Sequence, residues 1–348
     1  MEKEKKDFCR LKSQGFRMGS CLVESDGKKV HACKATLKME KSQIFRLITS
    51  IHLSRPENYL SIYQSGCNFS CKKCHSWYFS KVRDGTWYSP EDILDEAKKY
   101  EKNVTLTEPR ERVTAWHAHD SCHCCGSCVI NNERSPGCPG VLPRESVALS
   151  PQGFGPARDI VAFTGGDITC CPEFYCECAK LIKAQTNLKV LIETNGYGLT
   201  DENLLLLKES GVDSFWLDIK AFDKKNHKWL TGCSNEEILE LPEKILESGF
   251  VLEVLSLYIP GLVETYDLEQ IATVLVKADP EIPFTILAFF PEYKMKNYSN
   301  PTVQNMVEAY KMCKKTGLRN IRLGNLGVFI TSAADREFLR NNVDQKDF

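Results

Sequence analysis

The sequence predicts an α/β fold: a partial (β/α)6-type TIM barrel carrying an inserted cysteine-rich module. Two observations carry this. Short β-branched runs alternate with helical stretches from residue 58 to residue 330. One long interruption, residues 104–158, has little periodicity and contains five cysteines, three histidines and several glycines and prolines.

Strand-like runs fall at Tyr59–Tyr63, Asp159–Phe163, Leu188–Ile192, Ser214–Leu217, Val251–Tyr258, Phe284–Phe289 and Asn320–Leu323. Ser89-Pro90-Glu91-Asp92 reads as a helix start, with a capping serine and a proline in the first turn. Further helices are expected near Pro172–Ala184, Glu202–Glu209, Asn235–Glu247, Leu268–Lys277 and Pro301–Lys315, with Gly211 and Gly249 as helix stops. The organisation expected is a polar lead-in over residues 1–57, a core over 58–330 with the insert at 104–158, and a tail over 331–348. In parallel βα folds the chemistry lies at the C-terminal ends of the strands, and the conspicuous motifs fall there.

Composition narrows the function classes. Hydrophobic residues are 42% and charged residues 26%, as in ordinary globular proteins, and the net charge of -1 points to neither nucleic acid nor an anionic membrane. The charged start, MEKEKKD, has no apolar core and is not a signal peptide. The most apolar run, Val251–Val263, is broken by Glu253, Pro260 and Gly261, so no membrane span is expected and the protein should be cytoplasmic.

Cysteine is the anomaly, at 17 residues. The cytosol keeps thiols reduced, so clustered cysteines there argue for metal rather than disulfides. The first cluster reads Gly66-Cys67-Asn68-Phe69-Ser70-Cys71-Lys72-Lys73-Cys74-His75. A closed electron-transfer cluster takes four cysteines. Here three thiolates share one loop and no fourth follows within the next 40 residues, which leaves one iron open to a substrate or cofactor. A zinc knuckle is the alternative on spacing alone.

Cys67, Cys71 and Cys74, spaced three and then two apart after a strand with an aromatic inside, resemble the signature of the radical S-adenosylmethionine (SAM) superfamily. The segment Ser61 to Ser80 resembles the cluster loop of the pyruvate formate-lyase activating enzyme group, especially its AmmeMemoRadiSam-type branch. The resemblance implies a [4Fe-4S] cluster on those cysteines, with SAM chelating the open iron. Reductive cleavage of SAM would then yield methionine and a 5′-deoxyadenosyl radical that abstracts hydrogen. Gly165-Gly166-Asp167 stands where the family has Gly-Gly-Glu on the SAM amino group. Glu193-Thr194-Asn195-Gly196 resembles the segment near the SAM carboxylate and ribose. Asp218-Ile219-Lys220 resembles the strand end whose lysine pairs with the SAM carboxylate. Leu230-Thr231-Gly232 with Ser234-Asn235, Ile259–Leu262, Pro291–Met295 and Leu323-Gly324-Asn325 resemble later segments of the same enzymes. Each motif alone is a common turn; their joint order at strand ends carries the argument. Two departures stand out. Asp167 replaces a glutamate, and Phe290 and Ala288 stand where the branch usually has histidine and arginine.

The insert reads Cys122-His123-Cys124-Cys125-Gly126-Ser127-Cys128, then Cys138-Pro139. Without Cys124, the spacing of Cys122, Cys125, Cys128 and Cys138 resembles the ferredoxin-like insert of some glycyl-radical activating enzymes and implies a second iron-sulfur cluster. The nearby His117, His119 and His123 keep zinc open as an alternative. Cys170, Cys171, Cys176, Cys178, Cys233 and Cys313 read as core thiols, with Cys170 or Cys171 also a candidate for contact with the cluster region. Cys9, Cys21 and Cys33 form no recognised site by spacing.

The function expected is therefore a radical SAM oxidoreductase acting on a protein, in the manner of glycyl-radical activases, with a ferredoxin- or flavodoxin-type reductant. A small-molecule or peptide substrate is the second reading, and a non-catalytic iron-sulfur electron carrier the third.

Overall fold

The computed structural model describes residues 8–348; the charged start read above as no signal peptide lies outside the described residues. The described chain divides into two compact units. The first holds residues up to Asn68, Tyr78–Thr194 and Gly198–Trp216, and the second holds Phe69–Trp77, Asn195–Tyr197 and Leu217–Phe348.

In the first unit the strands are β1 (Leu22–Ser25), β2 (Lys28–His31), β3 (Leu37–Glu40), β4 (Gln43–Leu53), β5 (Leu60–Gln64), β6 (Thr86–Tyr88), β7 (Ala148–Ser150), β8 (Gly153–Gly155), β9 (Ile160–Gly165) and β10 (Lys189–Thr194). β5, β9 and β10 are parallel neighbours in the order β10-β9-β5, as strand-helix alternation requires. β9 is an unbroken apolar run buried on both faces, typical of a central parallel strand. β4 then adds antiparallel to β5, and β3 and β6 pair antiparallel with β4. The lead-in thus extends the sheet. Its strands escape a pattern search because β4 alternates only partly and Arg46 and His52 interrupt the apolar signal.

The helix Pro90–Glu101 starts as the sequence requires. Ser89 Oγ accepts from Asp92 N at 3.1 Å, and Asp92 Oδ2 accepts from Ser89 N at 2.8 Å. The helices Glu173–Gln185 and Asp201–Glu209 follow β9 and β10, and Gly211 ends the latter turn at φ 89°.

The chain leaves the first unit within β11 (Ser214–Asp218). In the second unit β12 (Val251–Tyr258), β13 (Phe284–Ala288) and β14 (Ile321–Gly324) are parallel in that order. The helices Thr265–Ala278 and Val303–Lys315 connect them and pack on each other. The expected single helix over Asn235–Glu247 is two, Glu236–Leu239 and Leu241–Glu247, because Pro242 lacks the N–H that an uninterrupted helix needs and instead opens a new first turn. A helix at Lys224–Thr231, absent from the sequence reading, is capped by Asp223, whose side chain accepts from Asn226 N. A further helix, Ala333–Asn342, lies in the tail.

The chain is thus mixed α/β with a mostly parallel sheet, as predicted. Among the described residues no helix is long and apolar enough to cross a membrane.

Candidate active site

In the first unit, Gly66 and Cys67 follow the end of β5. The turn is closed by Gly66 N donating to Phe79 O at 3.0 Å and by Asn68 N donating to Asp167 O at 2.7 Å. The main chain thereby joins the loop bearing Cys67 to the Gly-Gly-Asp turn after β9. Gly166 N also donates to Gln64 O at 2.8 Å. A β-carbon on Gly166 would fall 2.2 Å from Gly66 O and 2.7 Å from Gln64 O, so the residue type is set by close approach of two backbones.

Asp167 is oriented from both sides. Its Oδ1 accepts from Thr169 N at 2.8 Å, and its Oδ2 accepts from Thr194 Oγ1 at 2.8 Å. The shorter carboxylate is therefore held as a fixed acceptor group at the end of β9. Glu193, on β10, accepts from Tyr59 Oη at 2.9 Å and from Thr164 Oγ1 at 2.5 Å.

Beneath these turns lies Arg46 of β4, fully buried. Its Nη1 meets Thr36 Oγ1 at 2.5 Å, and its Nη2 reaches Gly66 O at 3.3 Å and Gly166 O at 3.5 Å. Burial pushes its pKa down, although Tyr175, Cys171, Asp167 and Cys67 work in the opposite direction. Sequence reasoning missed Arg46. The signal was present: Arg46 alternates with Ile44 and Ile48 on one strand face, where a cation has no ordinary place.

In the second unit, Cys71 is buried and Cys74 half-buried. Their loop hangs on the C-terminal end of the helix Lys224–Thr231. Ser70 N donates to Thr231 O and Lys72 N to Leu230 O, each at 2.8 Å, satisfying carbonyls that a helix end leaves open. Gly232, at φ 87°, lets the helix stop there. Phe69 is fully buried, edge-on to His227 with centroids 5.6 Å apart and tilted against Tyr197 at 5.6 Å. Leu230-Thr231-Gly232 therefore shapes the cysteine loop.

Lys73, between Cys71 and Cys74, is also buried. Its Nζ stands 3.5 Å from the Phe290 ring centroid and 2.5 Å from Glu292 Oε2. His75 approaches the same carboxylate at 3.2 Å. Burial pushes the Lys73 pKa down, and Glu292 opposes that shift.

At the end of β11, Lys220 Nζ pairs with Asp218 Oδ2. Burial works against the Lys220 charge, but Asp218 and the sulfurs of Cys71 and Cys74 outweigh it and raise its pKa. Asp218 Oδ1 and, on β12, Ser256 Oγ are buried without a hydrogen-bond partner among the described residues. Asn195 Oδ1 accepts from Tyr197 N at 3.0 Å, shaping the turn after β10. A cationic lysine in the field of two cysteine sulfurs, beside orphaned buried oxygens, fits an anionic iron-sulfur centre with an amino-acid-like ligand.

The insert belongs to the first unit. Cys122, Cys125, Cys128 and Cys138 all line one cavity of about 50 Å³, together with His123, Arg134, Ser135 and Arg144. Cys124 is not among the cavity's lining residues; its Sγ is 3.4 Å from Asn58 Oδ1, and its thiol also interacts with that of Cys122. The four cysteines chosen by spacing thus line one cavity, with Cys124 next to one of them. His119 lies 6.0 Å from His123, ring to ring, while His117 bonds Thr114 Oγ1 at 2.6 Å. The base of the insert is tied by Arg158, fully buried. Its Nε donates to Glu108 Oε1 at 3.0 Å, its Nη1 to Thr114 O at 2.7 Å and its Nη2 to Arg112 O at 2.7 Å.

Comparison with known proteins bears on the family rather than on single residues. The radical SAM superfamily matches residues 122–275, which include Gly165–Asp167, Glu193–Gly196 and Asp218–Lys220 and lie downstream of Cys67, Cys71 and Cys74. A Methanocaldococcus jannaschii protein, provisionally named a glycyl-radical enzyme activating enzyme, is 24% identical over 77% of this chain and 81% of its own. The 4-hydroxyphenylacetate decarboxylase activating enzyme of Clostridium scatologenes is 34% identical over 26% of this chain and 28% of its own. Among solved structures, a domain of a pyruvate-formate lyase-activating enzyme from Bacteroides vulgatus is similar at a TM-score of 0.41 and 18% identity, over 47% of this chain and 98% of that one. Streptococcus suis SuiB is similar at a TM-score of 0.46 and 13% identity, over 82% and 51%. Residues 122–275 thus match a radical SAM superfamily domain.

Proposed function

We propose that this protein is a radical SAM enzyme whose Cys67, Cys71 and Cys74 hold the reactive [4Fe-4S] cluster, and that its substrate is another protein, as for glycyl-radical activases. The observation that carries the reading is Lys220: a half-buried lysine paired with Asp218 and held charged by it and by the sulfurs of Cys71 and Cys74, at the end of β11.

When bound and reduced, the cluster would supply the electron that splits SAM into methionine and a 5′-deoxyadenosyl radical able to abstract hydrogen. The chain's own residues bind and orient. Lys220 would pair with the SAM carboxylate. Asp167, held by Thr169 N and Thr194 Oγ1, would accept from the SAM amino group. Gly165 and Gly166 let the backbone come close, and Glu193 and Asn195 would receive the ribose side. Buried Phe69 and Tyr197 keep water from the loop.

A protein substrate is supported by the activating enzymes among the relatives, and a cytoplasmic setting with a ferredoxin- or flavodoxin-type reductant goes with that reading. Cys122, Cys125, Cys128 and Cys138 are proposed to hold a second iron-sulfur cluster, supported by the cavity they share.

The test is anaerobic reconstitution followed by SAM and dithionite. 5′-Deoxyadenosine should form and should vanish in Cys71→Ala; its persistence in that variant would refute the site. A glycyl radical seen by paramagnetic resonance with a partner protein would carry the substrate class. Its absence across candidate partners would turn the reading to a peptide or small molecule.

A further inference from the structure

Four cysteines outside both sites converge in the first unit. Cys9 and Cys33 come from the lead-in, and Cys170 and Cys171 from the turn after Gly-Gly-Asp. The Sγ atoms of Cys9, Cys170 and Cys171 all lie within 4.8 Å of one another. Cys33 contacts both Cys9 and Cys171 through its sulfur. Cys170 and Cys171 Sγ are 3.9 Å apart. Cys33, Cys170 and Cys171 are buried and Cys9 is half-buried. As core thiols these would be unusual, since small hydrophobes have no reason to bring three sulfurs together with a fourth, Cys33, against two of them.

The spacing discriminates among ligands. Zinc binds thiolate at about 2.3 Å, and a tetrahedron of that radius has edges of about 3.8 Å. That is the separation seen between Cys170 and Cys171. A cubane would hold its cysteines farther apart than a single ion does.

A second observation concerns charge. Arg46 is fully buried, and its Nε has no hydrogen-bond partner among the described residues. The guanidinium lies within the electrostatic reach of Cys171. A tetrathiolate zinc centre carries a net charge of about minus two, and a buried cation beside it would offset part of that charge.

We propose that Cys9, Cys33, Cys170 and Cys171 bind one structural zinc ion that clasps the lead-in onto the turn following Asp167. Binding exchanges thiol protons for the metal: four S–H groups lose their protons to solvent, four Zn–S bonds form, and no electron is transferred. The site is closed, with four protein ligands and no open position, so its role is to hold structure. Beside the site the two segments already meet through the backbone, where Arg10 N donates to Cys170 O at 3.3 Å. Holding residues 168–171 in this way fixes the segment next to the Asp167 carboxylate.

The test uses the full chain, purified anaerobically and dialysed against a chelator. Zinc, iron and acid-labile sulfide are counted in the unaltered protein and in Cys9→Ser, Cys33→Ser, Cys9→His and Cys125→Ser. The expected result is one zinc per chain that is lost in both serine variants at positions 9 and 33. It should be kept in Cys125→Ser and restored by Cys9→His, since histidine can replace a cysteine ligand. Cobalt substitution should give the strong visible bands of a tetrahedral thiolate site, absent in Cys33→Ser. Circular dichroism shows whether Cys9→Ser remains folded; if it unfolds, the Cys9→His zinc count decides. Unchanged zinc in both serine variants would overturn the proposal. So would iron in place of zinc, sulfide lost together with the serine substitutions, or a disulfide found by mass spectrometry among these four residues.

Discussion

Lys73 Nζ stands 3.5 Å from the centre of the Phe290 ring, with Glu292 Oε2 at 2.5 Å on the same ammonium. The aromatic that replaces the histidine of the resembling branch is therefore a seat for a cation of the cysteine loop. A desolvated cation–π contact contributes up to about 2 kcal/mol. Phe290→Leu should lower the unfolding free energy by about 1–2 kcal/mol in urea titrations, and Lys73→Met in the same background should add little. Full additivity of the two changes would show that the pair is not coupled.

His227 gives the fold a pH dependence. Its Nδ1 is 2.9 Å from Cys233 O, and its Nε2 is buried without a hydrogen-bond partner among the described residues. Burial lowers its pKa from 6.5 to about 4, with Cys233 O opposing and Lys220 assisting. The folded state thus resists a proton that the unfolded chain accepts. The contribution is fully present above pH 6.5 and is lost as the pH falls toward about 4. The loss is on the order of 3 kcal/mol. His227→Gln should flatten this part of the stability profile; an unchanged slope would assign it to another group.

Gly166→Ala should abolish SAM binding, measured by equilibrium dialysis. The added carbon would meet two backbone oxygens, which cannot swing aside as a side chain could. Arg46→Met attacks the same turns from below, leaving Gly66 O and Gly166 O without their donor. A loss of about 1–3 kcal/mol per unsatisfied buried group is expected in chemical denaturation.

Glu108→Gln removes the carboxylate beneath the insert and leaves Arg158 buried without its counter-charge. Breaking such a pair costs about 3–5 kcal/mol. Limited proteolysis should then cut first within residues 104–158, while the helices of the second unit stay protected.

Iron analysis separates one cluster from two. The reconstituted protein should hold roughly eight irons, against roughly four for a single cubane. Cys125→Ser combined with Cys128→Ser should remove about half.

The parallel strands were legible because each is a mostly apolar, β-branched run bounded by turn residues, as β9 and β13 illustrate. The Gly-Gly-Asp and Asp-Ile-Lys segments could be placed at strand ends because their turn residues follow apolar runs locally in sequence. β4 was not, because its charged residues mask the alternation and its partners lie on both sides. The gathering of Cys9 and Cys33 with Cys170 and Cys171 was equally hidden, since no spacing rule links residues that only the tertiary fold brings together. Lys73 and His227 escaped for a related reason: their roles depend on Phe290 and Cys233, and a lysine or histidine in isolation usually faces solvent.

The hydrogen bonds from Ser70 and Lys72 to Thr231 and Leu230 impose an order of events during synthesis. The cysteine loop leaves the ribosome long before the helix that shapes it. Until residue 232 has been added, Cys71 and Cys74 are on a tether without a mould. On the proposed assignment, a cluster would be built on these thiols only once residue 232 is in place.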